Sequence, residues 1–154
     1  MKKECYKNVS EKNYLENDLI DIILESREMR IATKICGVNF SIQGINDSPV
    51  ISSRLENIAS FGGNLEILFY PYSWKILSVE KIPIIEKLKK YQNVSLKITP
   101  EEIKKCFLIS DRKNVVTEDE CGNMYMLKDD ANTAESWIRY FNEINNSNDT
   151  YRIR

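Results

Sequence analysis

Short apolar runs alternate with amphipathic segments along this chain, and the alternation limits the folds that it can adopt. Residues 65–70 form the clearest run, short and mostly uninterrupted, as is typical of a buried central strand. Ser48 and Pro49 predict the start of the helix before it, and Gly62 and Gly63 predict its end. Further strands are predicted at residues 29–36, 94–98, 105–110, 114–117 and 124–127, and further helices at 13–26, 83–91 and 132–144. This order predicts an α/β fold with a mixed, mostly parallel central sheet flanked by helices.

A chain of 154 residues corresponds to about one domain. We expect residues 13–144 to form it, after a flexible lead-in at residues 1–12 and before a polar tail at residues 145–154. No window approaches the roughly 20 consecutive apolar residues of a membrane span, and no apolar segment of a signal peptide follows the first lysines. We therefore expect a cytoplasmic protein that has no contact with a membrane.

The sequence contains no histidine, which excludes mechanisms that need an imidazole base, nucleophile or metal ligand. Its 22 basic and 23 acidic side chains give a net charge of -1, so no overall field attracts nucleic acid. The acidic stretch at residues 118–120 lacks the spaced ligands of a calcium loop. The cysteines never form a C-x-x-C pair; they are Cys5, Cys36, Cys106 and Cys121. We therefore expect no metal and no cofactor.

Two lysines precede a short apolar strand within residues 103–111, which read Ile-Lys-Lys-Cys-Phe-Leu-Ile-Ser-Asp. Together with the order of helices and strands, this stretch resembles one half of the phospholipase D-like fold. That family carries the pattern His-x-Lys-x-x-x-x-Asp on a strand, followed by a Gly/Ser-Asn step. In this alignment Lys105 falls on the lysine, Ile103 on the histidine and Ser110 on the aspartate. Residues 117–120 occupy the region of the Gly/Ser-Asn step without matching it.

The resemblance implies a domain that does not cleave phosphodiesters. The family's reaction proceeds through a phosphohistidine, and the side chain of Ile103 can neither attack phosphorus nor carry a proton. Degenerate domains of this kind resemble the sensor or effector portions of archaeal transcription regulators. The resemblance thus implies a non-catalytic ligand-sensing or protein-interaction module with a regulatory role. Because active members bring two such motifs together, it also implies a homodimer, with a different protein partner as the alternative.

Candidate ligand-binding residues lie beside the ends of predicted strands. Lys105 can hold an anion, since a lysine needs only position and partial desolvation to act as a point charge. Tyr70, Tyr72 and Trp74 come at the carboxyl end of a central strand, where open α/β sheets bind ligands and aromatic rings can stack on a flat molecule. Lys34, near the end of another strand, can face the same crevice. The expected ligand is small and anionic or aromatic; in the alternative interpretation, the lysines are solvated and the rings pack the core.

Two other functions stay open at the level of sequence. The first is a hydrolase or transferase that uses serine, cysteine or carboxylates in a crevice near Tyr70 and Lys105. Cys106 is a conceivable nucleophile, but its place in an apolar strand favours a buried, unreactive thiol. The second is weak nucleic-acid binding, which the balanced charge does not favour. The lysines available for it are Lys87, Lys89, Lys90, Lys104 and Lys105.

Overall fold

The fold is defined by a computed structural model, which describes residues 2–6, 26–36, 39–41, 49–71, 83–118 and 124–153. The strands are β1 (Lys2–Tyr6), β2 (Glu28–Cys36), β3 (Asn39–Ser41), β4 (Asn64–Pro71), β5 (Val94–Ile98), β6 (Phe107–Ser110), β7 (Asn114–Glu118), β8 (Met124–Lys128) and β9 (Tyr151–Arg152). The helices are α1 (Pro49–Ser60), α2 (Pro83–Leu88) and α3 (Ala131–Asn145). None of these described helices has the length and apolar character that crossing a lipid bilayer requires.

The nine strands of the described residues join one mixed sheet in the order β1-β8-β7-β6-β2-β4-β5-β9, with β3 paired to β2. The predicted α/β fold, with a mixed sheet between helices, is confirmed. Parallel pairing is confined to β2 with β4 and β4 with β5, whereas we expected it to predominate. The difference arises because β6, β7 and β8 follow one another through short connections, which can join only antiparallel neighbours.

Alternating side chains of the strands build two cores, one on each face of the sheet. Ile67 of β4 packs in one core with Leu55 of α1 and Ile85 of α2. The next residue of β4, Leu68, lies in the other core, which includes Ile138 of α3. Helices α1 and α2 therefore cover one face and α3 covers the other, which gives three layers.

Both ends of the chain contribute edge strands, where the sequence predicted loose segments. Strand β1, within the expected lead-in at residues 1–12, pairs antiparallel with β8. Strand β9, within the expected tail at residues 145–154, pairs antiparallel with β5. An edge strand bonds to one neighbour and is partly solvated, so it does not need the apolar run that identifies a central strand. The first predicted helix, at residues 13–26, lies outside the described residues except for its last position.

Candidate ligand-binding groove

The segment at residues 99–106 crosses one end of the sheet. It leaves β5 and enters β6, and these strands lie on opposite sides of β2 and β4 in the sheet order. Because β6 runs antiparallel to β2, with Phe107 opposite Ala32, the segment lies at the carboxyl ends of β2 and β4. Open α/β sheets bind ligands at this end, where neighbouring connections diverge.

The strand register brings three of the predicted site residues to this end of the sheet. Lys34 lies opposite Tyr70 in the pairing of β2 with β4. Lys105 comes two residues before β6 instead of lying within a strand that begins there, as we predicted. The reason is that β3 occupies the place beside the last residues of β2, so β6 joins the sheet later. Tyr72 and Trp74 lie outside the described residues.

A groove of about 370 Å³ lies between this segment and α3. Lys104 and Lys105 line it from the segment, and Ser136, Trp137 and Tyr140 line it from the helix. The volume falls in the range of about 300–1,000 Å³ that is typical of small-molecule sites. Lys105 therefore lies beside aromatic side chains, as predicted for the site. The described aromatic side chains that line the groove belong to α3, whereas we expected them in the segment after β4.

The aromatic surface of the groove is held by contacts with a buried ring. Phe107 has no exposed surface, and its ring centroid lies 4.8 Å from that of Trp137 and 5.6 Å from that of Tyr140. Trp137 and Tyr140 have the i, i+3 spacing that places side chains on one side of a helix, and their centroids are 6.3 Å apart. Tyr70 packs against the same core from β4. Packing thus fixes an apolar surface on which a flat ligand can lie.

Charges of both signs surround this aromatic surface. Lys105, with its positively charged side chain, is half-buried. Burial raises the pKa of the Tyr140 phenol, and the negative charges of neighbouring carboxylates raise it further; these belong to Glu101, Glu102 and Glu143. The phenol therefore stays neutral at physiological pH and can donate or accept a hydrogen bond. The groove offers a cation, a neutral hydroxyl group and apolar rings within one small volume.

The positions that align with the phospholipase D-like motif do not form a reaction centre. Ile103 is 0% exposed and packs in the core beside α3. Ser110 is buried at the other end of β6, where its hydroxyl oxygen lies 2.5 Å from that of Ser26. Asp111, the next residue, accepts hydrogen bonds at 2.9 and 3.0 Å from two backbone N–H groups at the entrance to β2. These polar groups tie strands together, and the apolar one fills the core.

Other candidate reactive groups are buried or dispersed. Cys106 is 4% exposed and belongs to the core on the side of α1 and α2. Its carbonyl oxygen accepts a hydrogen bond of 3.0 Å from the Thr117 hydroxyl, so the pairing of neighbouring strands fixes its backbone. Within the described ranges, no group of three or more cysteines and carboxylates is arranged to hold a metal ion.

The groove residues on α3 were not predicted as site residues from the sequence; they are Ser136, Trp137 and Tyr140. All three lie within the helix predicted at residues 132–144, for which no binding role was expected. The available signal was the i, i+3 spacing of two aromatic residues on a helix. That spacing does not reveal which part of the sheet the helix covers, so the link to Lys105 appears only in the folded chain.

Solved structures with a similar fold include three proteins of known name. The archaeal chromatin protein TrmBL2, whose structure shows a novel mode of DNA binding, matches with a TM-score of 0.62 and 15% identity over 93% of this chain and 52% of its own. Nuc from Salmonella typhimurium, a phospholipase D family member, matches with a TM-score of 0.64 and 12% identity over 90% of each chain. Polyphosphate kinase from Porphyromonas gingivalis matches with a TM-score of 0.63 and 10% identity over 95% of this chain and 26% of its own.

The comparisons define the fold of this chain as phospholipase D-like. This confirms the fold that the sequence resemblance implied. At identities of 10–15%, the likeness concerns the fold alone. The chain spans about half the length of TrmBL2, at 52%. No family model and no curated protein matches the sequence.

Proposed function

We propose that this chain is a non-catalytic phospholipase D-like domain that binds a small anionic or aromatic ligand in the groove beside α3. In this proposal it senses the ligand, or uses the same groove to contact a protein partner, as a regulatory module. The observation that carries the proposal is the surroundings of Ile103. The position that the family resemblance gives to the phosphohistidine holds an apolar side chain without exposed surface, next to a groove that contains a lysine and aromatic rings.

Binding in this groove does not need the missing nucleophile. An anionic group gains from the half-buried charge of Lys105, and a flat body gains from contact with Trp137 and Tyr140. Catalysis would need in addition a group that attacks the substrate or transfers a proton. Ser110 and Cys106 are buried, and the Ser136 hydroxyl, which lines the groove, donates a hydrogen bond to the backbone carbonyl oxygen of Asn132, which is not a base. These surroundings favour a binding site over the alternative of a hydrolase or transferase.

Nucleic-acid binding is the second candidate, because the structurally similar TrmBL2 is a chromatin protein whose structure shows DNA binding. The candidate lysines among the described residues are divided between the two faces of the sheet. Lys87 and Lys89 belong to the region of α2, whereas Lys104 and Lys105 lie beside α3. Because phosphate backbones are bound by continuous basic surfaces, this division favours the small ligand.

We also propose that the domain acts as a homodimer. The support is the family resemblance, in which active members combine two motifs within one chain or between two. A different protein that completes the module is the alternative, and the subunit number in solution distinguishes the two.

Hydrolysis of bis(p-nitrophenyl) phosphate tests the non-catalytic part of the proposal. We expect the wild-type chain to release p-nitrophenol no faster than buffer does, and Lys105→Ala and Cys106→Ala to behave in the same way. Release that Lys105→Ala abolishes would identify a phosphodiesterase and overturn the proposal. Release that Cys106→Ala abolishes would instead support a cysteine-dependent hydrolase.

A further inference from the structure

Another cleft, of about 610 Å³, lies at the opposite end of the sheet from the groove. It is bordered by the turn between α1 and β4 and by the residues just before β2. Glu28 lies opposite Asn64 in the pairing of β2 with β4, which places the cleft at the amino ends of both strands. The groove lies at their carboxyl ends, so the two surfaces can be tested separately.

Phe61 projects from the turn between α1 and β4 into solvent. Phe61 is 88% exposed, whereas the other large hydrophobic residues of the described ranges are buried or partly buried. Aromatic side chains are enriched among the residues that contribute most to protein interfaces. An exposed ring on the border of a cleft therefore favours a role in binding a partner over a permanently solvated position.

The turn that carries Phe61 is fixed by backbone hydrogen bonds. Gly62 has a φ of +84°, and its N–H and that of Gly63 donate to carbonyl oxygens of the last turn of α1 at 3.2 and 2.9 Å, which is the Schellman arrangement. A Cβ atom on Gly63 would lie 2.9 Å from the carbonyl oxygen of Arg27, so the turn packs closely on the chain before β2. Since the backbone of the turn is held in place before binding, only the side chain of Phe61 loses conformational entropy when a partner contacts it.

Two arginine side chains line the same cleft. Arg27 is exposed and Arg54 is half-buried. The described residues that line the cleft include no carboxylate. Neither guanidinium group has an ion-pair partner among the residues that the structure describes. Guanidinium groups bind carboxylates through two parallel hydrogen bonds. The cleft therefore combines positive charge with an exposed aromatic ring.

We infer that this cleft docks an acidic peptide segment of a partner protein, with carboxylates on Arg27 and Arg54 and an apolar side chain against Phe61. Charge complementarity selects this occupant. A second copy of the chain is disfavoured, because a two-fold contact brings the guanidinium groups of both copies together. A nucleic acid is disfavoured as well, since two cations neutralise few phosphates and the net charge of the chain is -1.

Selection of a random peptide library displayed on phage, against the immobilised full chain, tests this inference. We expect the enriched peptides to be acidic and to carry a large apolar side chain. For a synthetic copy of the most enriched peptide, Phe61→Ser and Arg54→Gln should each raise the Kd measured by calorimetry roughly tenfold or more. Arg139→Gln is the matched control, because it removes an exposed charge from α3 on the other face, and it should leave the Kd unchanged.

Phe61→Ser should keep the wild-type melting temperature, because the ring is exposed, so lost binding can be separated from lost folding. Neutral or basic enriched peptides, no enrichment, or a Kd that neither variant changes would overturn the inference. Binding of single-stranded oligothymidylate that Arg54→Gln abolishes would overturn it too, in favour of a nucleic acid. A dimer that Phe61→Ser dissociates would overturn it in favour of a second copy.

Discussion

Ile103 and Lys105 are separated by one residue and have opposite surroundings. The side chain of Ile103 is enclosed in the core beside α3, whereas Lys105 is half-buried on the border of the groove. The first position offers packing energy and no chemistry, and the second offers a charge to a ligand. A short segment outside the strands therefore contains one side chain that stabilises the core and one that lines the groove.

Ile103→His should destabilise the domain, although it restores the motif residue of the family. An imidazole in the apolar core loses its hydrogen bonds with water, so we expect the free energy of unfolding to fall by about 2–4 kcal/mol. Ile103→Val, which keeps the core apolar, should lower it by only about 1 kcal/mol. Urea unfolding measures both changes. A histidine variant as stable as the wild type would contradict the buried position of this side chain.

Tyr140 should ionise at a higher pH than an ordinary tyrosine, whose pKa is about 10. Burial disfavours the phenolate most, and the nearby Glu101, Glu102 and Glu143 add to this, so the pKa of the folded state is raised. The stability that this gives is complete below the pKa of the unfolded chain and is lost as the pH rises through the pKa of the folded chain. A titration of ¹³Cζ-labelled tyrosine by NMR follows the group, and Tyr140→Phe assigns its resonance. A midpoint at or below that of free tyrosine would refute the expectation.

Gly62 and Gly63 follow α1 and are required for different physical reasons. Alanine substitutions at the two positions should therefore lower the free energy of unfolding by different amounts. Gly62 has a positive φ with open space at the Cβ position, so Gly62→Ala should cost only the backbone strain of about 1 kcal/mol. A Cβ on Gly63 would lie 2.8 Å from Cγ2 of Ile58 and 2.9 Å from a backbone oxygen, so Gly63→Ala should cost more, roughly 2 kcal/mol or above. Urea unfolding compares the two variants. Equal losses of unfolding free energy in the two variants would contradict this expectation, because they would show that the atoms around Gly63 move to accept a Cβ atom.

Elements with strong local signals could be predicted from the sequence. The positive φ of Gly62 confirms the predicted end of α1, and β7 and β8 lie where strands were predicted, at residues 114–117 and 124–127. The start of α3 was predicted at Asn132, but the N-cap is Asp130, whose carboxylate accepts a hydrogen bond of 3.0 Å from the Thr133 N–H. Both residue types are good N-caps, so packing and not propensity decided between them.

The groove could be predicted only in part. Lys105 was selected because it aligns with the lysine of the family motif, and Tyr70 because it stands at the end of a predicted strand. The register places both at one end of the sheet. The contribution of Trp137 and Tyr140 depends on where α3 packs, which is a contact between distant parts of the chain. No local pattern encodes such a contact, and the same holds for the crossing of residues 99–106 over the sheet.

At the scale of the whole molecule, one fold is shared by proteins with different roles. A chromatin protein, a phospholipase D family member and a polyphosphate kinase all superpose on most of this chain. A shared fold does not define a shared function, so the function proposed for this chain follows from the groove and its residues. In the proposed function, Lys105 in the groove binds the ligand, and Ile103 in the core takes no part in a reaction.

Native mass spectrometry of the purified chain, at low and moderate ionic strength, tests the proposed assembly. We expect a homodimer, because active members of the family that this chain resembles combine two motifs. A retained small molecule would appear in the same spectrum as an additional mass. A bare monomer would contradict the homodimer and favour a different protein partner.

NMR mapping of ligand binding tests whether the groove beside α3 binds a small anionic or aromatic ligand. The ¹⁵N-labelled full chain is titrated with a fragment library in which every aromatic carboxylate is paired with its neutral amide. We predict that the shifted backbone amides cluster at residues 101–107 and 136–141, and that carboxylates bind more tightly than their amides. Lys105→Gln should remove that difference, whereas Lys89→Gln, on the other face, should keep it. No binding fragment, shifts elsewhere in the sheet, or a carboxylate preference that survives Lys105→Gln would contradict the account.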